Sequence, residues 1–95
     1  MKDWEREVFV RALEAYGPKK QIDKALEEMA ELQVELCHYL DGRPDYAGIA
    51  TEIADVGILL DQMTLLFQCG GKVQQERMRK VQRLEERITV GGKKS

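Results

Sequence analysis

Residues 46–69, YAGIATEIADVGILLDQMTLLFQC, decide the fold class. Ile49, Ile53, Val56, Leu60, Met63 and Phe67 recur at alternating steps of four and three, the period of one helix face and not of a strand. Ile58, Leu59, Leu65 and Leu66 fall off that stripe, and Asp61, Thr64 and Gln68 share a narrow polar arc. The pattern predicts a central, mostly buried helix. At about 100° per residue, Glu52 and Asp55 lie inside its apolar arc. A carboxylate in such a place is costly unless it is paired or bound to a cation. Gly57 is expected to permit close helix packing, although it costs about 1 kcal/mol against Ala.

Outward from this stretch, three more segments carry helical periodicity: residues 3–16, 19–40 and 72–90. Gly17-Pro18, the run Asp41-Gly42-Arg43-Pro44-Asp45, Gly70-Gly71 and Gly91-Gly92 are the breaks. The expected fold is all-α, a four-helix-type bundle formed by one domain over residues 1–90, with a flexible polar tail at 91–95. A chain of 95 residues buries only roughly 60–65% of its unfolded surface, so homo-oligomerisation is expected to complete the core.

No apolar run reaches the roughly 18 residues of a membrane span, and no membrane partner is expected. The start, Met1-Lys2-Asp3-Trp4-Glu5-Arg6, lacks the apolar core of a secretory signal. Cys37 and Cys69 sit in apolar patterns and read as small, reduced core residues, which fits a cytoplasmic location. Residues 1–68 carry 7 basic and 14 acidic side chains, whereas residues 69–95 carry 8 basic and 3 acidic. An acidic body suits cations and a basic final segment suits phosphate.

The chemistry concentrates in the two middle segments. Glu27, Glu28, Glu31 and Glu35 share one sector of the second helix. Glu27–Glu31 and Glu31–Glu35 are like-charged pairs four apart, each unfavourable by roughly 0.2–0.5 kcal/mol on a free helix. Glu28 with Glu31, and Glu52 with Asp55, each stand three residues apart and project from one side of their helix. Two such helices packed antiparallel would converge four carboxylates. Hard oxygen ligands without Cys or His suit Mg²⁺, with Mn²⁺ as a substitute, over Zn²⁺. Competing readings of the same residues are a solvated acidic face and a set of buried salt bridges. Glu35 and His38 form half of a di-iron carboxylate motif, which would need a dimer axis. Gln21, two turns before Glu28, is a candidate for substrate contact, and Trp4, Tyr16, Tyr39 and above all Tyr46 are candidates for stacking on a base.

Leu26-Glu27-Glu28-Met29-Ala30-Glu31-Leu32, followed about twenty residues later by Glu52-Ile53-Ala54-Asp55-Val56, resembles the MazG-like, all-α nucleoside triphosphate pyrophosphohydrolases. Lys80-Val81-Gln82-Arg83-Leu84-Glu85-Glu86-Arg87 is similar to that family's basic fourth helix, and the likeness spans roughly Gln21 to Arg87. The resemblance implies Glu28, Glu31, Glu52 and Asp55 as Mg²⁺ ligands, and Glu27 as a group behind them or one that orients the attacking water. It implies cleavage of a nucleoside triphosphate between its α- and β-phosphates, in a homodimer or homotetramer. Lys24, Lys80, Arg83 and Arg87 are then the candidates for stabilising charge on the leaving pyrophosphate. The rivals are a helical module that grips nucleic acid with its basic last helix, the less expected partner, and a structural bundle with salt-bridged carboxylates.

Overall fold

The computed structural model describes residues 1–94, with side chains through Val90. Four helices follow one another: α1 (Asp3–Tyr16), α2 (Pro18–Leu40), α3 (Tyr46–Leu66) and α4 (Gly70–Lys94). No strand occurs among the described residues. No helix there is long and apolar enough to cross a membrane.

The turns follow from local backbone chemistry. Gly17 alone joins α1 to α2 at φ 88°, and Pro18 opens α2 at a position whose amide needs no partner. At the end of α2, Gly42 takes φ 78°, and the amides of Gly42 and Arg43 return to the carbonyls of Tyr39 and His38. This Schellman turn satisfies carbonyls that the helix leaves open. Asp45 then caps α3, its Oδ1 accepting the Gly48 amide at 2.9 Å.

The end of α3 departs from the sequence expectation. The helix stops at Leu66, not at Cys69, and the glycines at 70 and 71 open α4 instead of forming the break. The turn uses the same Schellman bonds, with the Gln68 and Cys69 amides returning to the Leu65 and Thr64 carbonyls. Gln68 holds φ 51° where a glycine would normally stand. Helical backbone also continues past Gly91-Gly92 to Lys94. The tail expected at 91–95 falls on Ser95 and on side chains outside the described residues.

Helices α1, α2 and α3 pack on one another, with α2 against α3 as the main contact, while α4 touches only α3. The radius of gyration is 16.6 Å, against about 12 Å for a compact chain of this length, because α4 extends away from the other three. The interior is small and half polar: Phe9, Ala25 and Leu59 are buried together with Gln21, Glu28 and Gln62.

Three sequence expectations fail here for one reason. Helix α3 turns Leu59 and Gln62 toward α2, and not its longer apolar stripe. Ile53, Leu60 and Phe67 of that stripe are therefore exposed within the chain. Gly57 has open space where a Cβ would stand, so it permits no close approach within one chain. Cys37 lies on the exposed side of α2, and Cys69 is half-buried in the α3–α4 turn.

Replacing Gln68 by Gly removes the left-handed strain at the end of α3. Urea unfolding of Q68G is expected to show a gain of about 1 kcal/mol; a loss of stability would contradict the turn described.

Candidate metal centre

The short 41–45 link makes α2 and α3 an antiparallel hairpin. Its facing residues repeat at heptad spacing. Gln21 Nε2 donates to Gln62 Oε1 at 2.7 Å. Seven residues further along α2, and seven back along α3, Glu28 meets Asp55. After another seven, a Cβ on Gly48 would stand 3.0 Å from Glu35 Oε2, so the missing side chain makes room for that carboxylate. The step of seven is two helical turns, which keeps these positions on one seam.

Glu28 is the hub. It is 5% exposed, and its Oε1 lies 3.1 Å from Lys24 Nζ. Its Oε2 is buried with no hydrogen-bond partner, as is Oε2 of the half-buried Glu52. Oxygens of Glu28, Glu52 and Asp55 lie within 4.8 Å of one another, and so do those of Glu27, Glu28 and Glu31. Among the described residues, no Lys or Arg nitrogen comes within 4.0 Å of Glu31, Glu52 or Asp55. The salt-bridge reading therefore accounts for one oxygen each of Glu28 and Glu27, both through Lys24, and leaves Glu31, Glu52 and Asp55 without an ion pair. Carboxylate oxygens that gather from two helices in this way could hold a hard divalent cation.

The electrostatics follow from this crowding. The Lys24 ammonium, hydrogen-bonded to Glu28, holds that carboxyl below its ordinary range, and Glu28 in turn raises Lys24. The negative charge of Glu28 pushes Glu31 up. Burial, then the Glu28 carboxylate beside it, pushes Glu52 up to about 7. Without a cation, the cluster lowers its repulsion by keeping a proton on Glu52.

Lys24 also stands 3.6 Å from Glu27, itself exposed on the rim of the cluster. Gln21, expected to reach a substrate, is buried with its amide committed to Gln62. Beside Lys24 and Glu27 opens a groove of about 610 Å³ whose walls include Tyr16, Lys20 and Leu59. Tyr16 carries the Lys20 ammonium 5.4 Å from its ring centre. Tyr46 instead meets Tyr39 edge to face at 6.2 Å. Lys80, Arg83 and Arg87 are exposed on α4, which reaches neither α1 nor α2, so one chain does not bring them to α2's share of the carboxylates. Glu35 and His38 belong to neither carboxylate cluster. Gln62 was missed by the sequence reading. Its signal was present, since it stands seven residues beyond Asp55 just as Gln21 stands seven before Glu28.

Between the ordinary value of 4.5 and about 7, the folded chain holds a proton on Glu52 that the unfolded chain has released. Stability without divalent ions therefore falls as pH rises through that window. Thermal melts across this range should show the decline in the wild type and a flatter profile in E52Q. The melting-temperature gain from added Mn²⁺ should grow as pH rises, because binding must displace that proton.

No known family model matches the chain, and neither a characterised protein nor a solved structure does.

Proposed function

We propose that the chain is a divalent-cation-dependent hydrolase of phosphoanhydrides, acting on nucleoside triphosphates to release pyrophosphate. The observation that carries this reading is the buried, unpartnered Oε2 of Glu28 facing Glu52 and Asp55. Glu28, Glu31, Glu52 and Asp55 would hold Mg²⁺ or Mn²⁺. Such an ion, when bound, supplies positive charge to phosphate oxygens and acidifies water. Glu27 stands on the solvent side of the same cluster, and its role is to orient the attacking water and take its proton. Water oxygen bonds to the α-phosphorus, the α–β anhydride bond breaks, and pyrophosphate leaves with the electron pair. Lys24, on the rim between cluster and groove, meets the charge that develops on the leaving group. The resemblance of the two acidic motifs supports the substrate class, and the convergence of Glu28, Glu52 and Asp55 supports the cation site.

A screen for pyrophosphate release over ribo- and deoxyribonucleoside triphosphates with Mg²⁺ tests the reading. The wild type is expected to turn over at least one of them, and E28Q to lose at least a hundredfold in kcat. Inactivity of the wild type on all of them, or an undiminished rate in E28Q, removes the assignment. A rise of melting temperature with Mn²⁺ in the wild type but not in E28Q checks the cation site separately.

The working unit under this reading is a homodimer or homotetramer. Three features support it: the exposed α3 stripe with Ile53, Leu60 and Phe67, the exposed α4 stripe with Val81, Leu84 and Ile88, and the contrast between an acidic body and a basic last helix. A second copy covering these stripes buries apolar surface and pairs opposite charge. It also offers the one route by which Lys80, Arg83 and Arg87 reach α2's carboxylates. Light scattering behind size exclusion is expected to give at least a dimer for the wild type and a smaller species for L84E/I88E. A monomeric wild type at micromolar concentration overturns this part.

A further inference from the structure

We propose that Gln21 and Gln62 form an amide clamp that positions the carboxylate cluster, with Gln21 as the donor and Gln62 as the acceptor. The hairpin of α2 and α3 is closed at one end by its five-residue link, 41–45. Nothing covalent closes the other end. Between the two ends, Glu28 stands against Glu52 and Asp55 with oxygens inside 4.8 Å. Like charges at that separation push the helices apart.

Half-buried apolar residues of the two helices, among them Ile22, Ile49 and Val56, resist this in part. The seam's buried apolar members are Ala25 and Leu59, and alanine contributes little contact area. The stronger apolar stripe of α3 faces elsewhere, as Ile53 and Leu60 show by their exposure. Phe9 of α1 is buried against the hairpin, but an apolar contact of this kind tolerates sliding. The hydrogen bond from Gln21 Nε2 to Gln62 Oε1 at 2.7 Å does not. Both amides are buried, two turns from the cluster on their respective helices. Pulling the helices apart or sliding them would strand a buried donor and a buried acceptor together. Gln21 and Gln62 are positioning residues: neither belongs to the cluster, and each acts through the helix that carries it.

Loss of the bond supplies the test. Q62E keeps an acceptor opposite the Gln21 amide, and in Q21E the Gln62 amide turns to donate to the new carboxylate, so each keeps one hydrogen bond across the seam, whereas Q62L and Q21L keep none. Mn²⁺ titration of the full chain is expected to give Q62E and Q21E within about threefold of the wild type and Q62L and Q21L at least tenfold weaker. The apolar pair Q21L/Q62L is expected to melt no lower than the wild type yet to bind Mn²⁺ at least tenfold more weakly, a split that a purely structural contact would not produce. Equal affinities in the Glu and Leu variants, or wild-type affinity in Q21L/Q62L, overturns the clamp. So does unfolding of Q21L/Q62L, since the amides would then be holding the fold and not the site.

The affinity readout rests on the cation reading of the cluster; a second readout does not. Spin labels at Asp23 and Ile58, both exposed and off the α3 stripe proposed to meet a second copy, report the helix separation after C37A and C69A remove the native thiols and excess unlabelled chain dilutes the labelled one. One narrow distance is expected in the wild type and Q62E, and a broader, longer distribution in Q62L and Q21L/Q62L. Unchanged distributions overturn the clamp. If the wild type binds no Mn²⁺ but the distances change as expected, the clamp stands and the cation site falls.

Discussion

Negative charge gathered in one place is the constraint on which this structure turns. Glu28, Glu52 and Asp55 bring their oxygens within 4.8 Å, and among the described residues the one ammonium paired with this group, Lys24, reaches Glu28 and Glu27. Carboxylates in that arrangement either protonate, pair or bind a cation. The shift of Glu52 to about 7 is the first response, and Lys24 beside Glu28 is part of the second. The buried Oε2 atoms of Glu28 and Glu52 are what neither response satisfies. A helix built for stability alone would not place Glu28 at 5% exposure opposite two more acids.

That arrangement explains an inversion in how the chain distributes its polarity. The contact between α2 and α3 encloses Gln21, Glu28 and Gln62, while the richer apolar stripe of α3 and most of α4 stay outside. Burial of hydrocarbon normally selects which faces meet. Here the polar seam takes the interior, and the apolar surface remains to be covered. The high radius of gyration and the exposed α4 stripe go together: α1, α2 and α3 pack on one another, and among the described residues α4 meets only α3.

Much of this was legible before any coordinates. The periodicity of residues 3–16 gives α1 with its observed bounds, and the breaks at Gly17-Pro18 and residues 41–45 fall where Gly17 and Gly42 adopt positive φ. Glu52 and Asp55 stand out because acids sit where hydrocarbon belongs, and Glu28 because it stands three residues before Glu31 in a sector of like charge; Glu28, Glu52 and Asp55 do meet. The end of α3 was misplaced because glycine is the usual residue for a left-handed turn, and Gln68 took that role without a local signal. The buried face of α3 was misread because periodicity counts apolar residues, whereas packing against α2 selected Leu59 and Gln62. Gln21 reads in the sequence as a candidate for substrate contact, and it does border the groove beside Lys24 and Glu27. Its bond to Gln62 shows only once the helices are paired antiparallel, although the seven-residue spacing of Gln62 from Asp55 is already in the sequence.

The turn at Phe67-Gln68-Cys69 separates the molecule into parts under different rules. Because α4 meets the remainder only through α3, mutations along most of its length disturb no neighbour within the same chain. That helix is free to drift in evolution, constrained by whatever it meets outside. Changes on the α2–α3 seam, by contrast, must be tolerated two at a time.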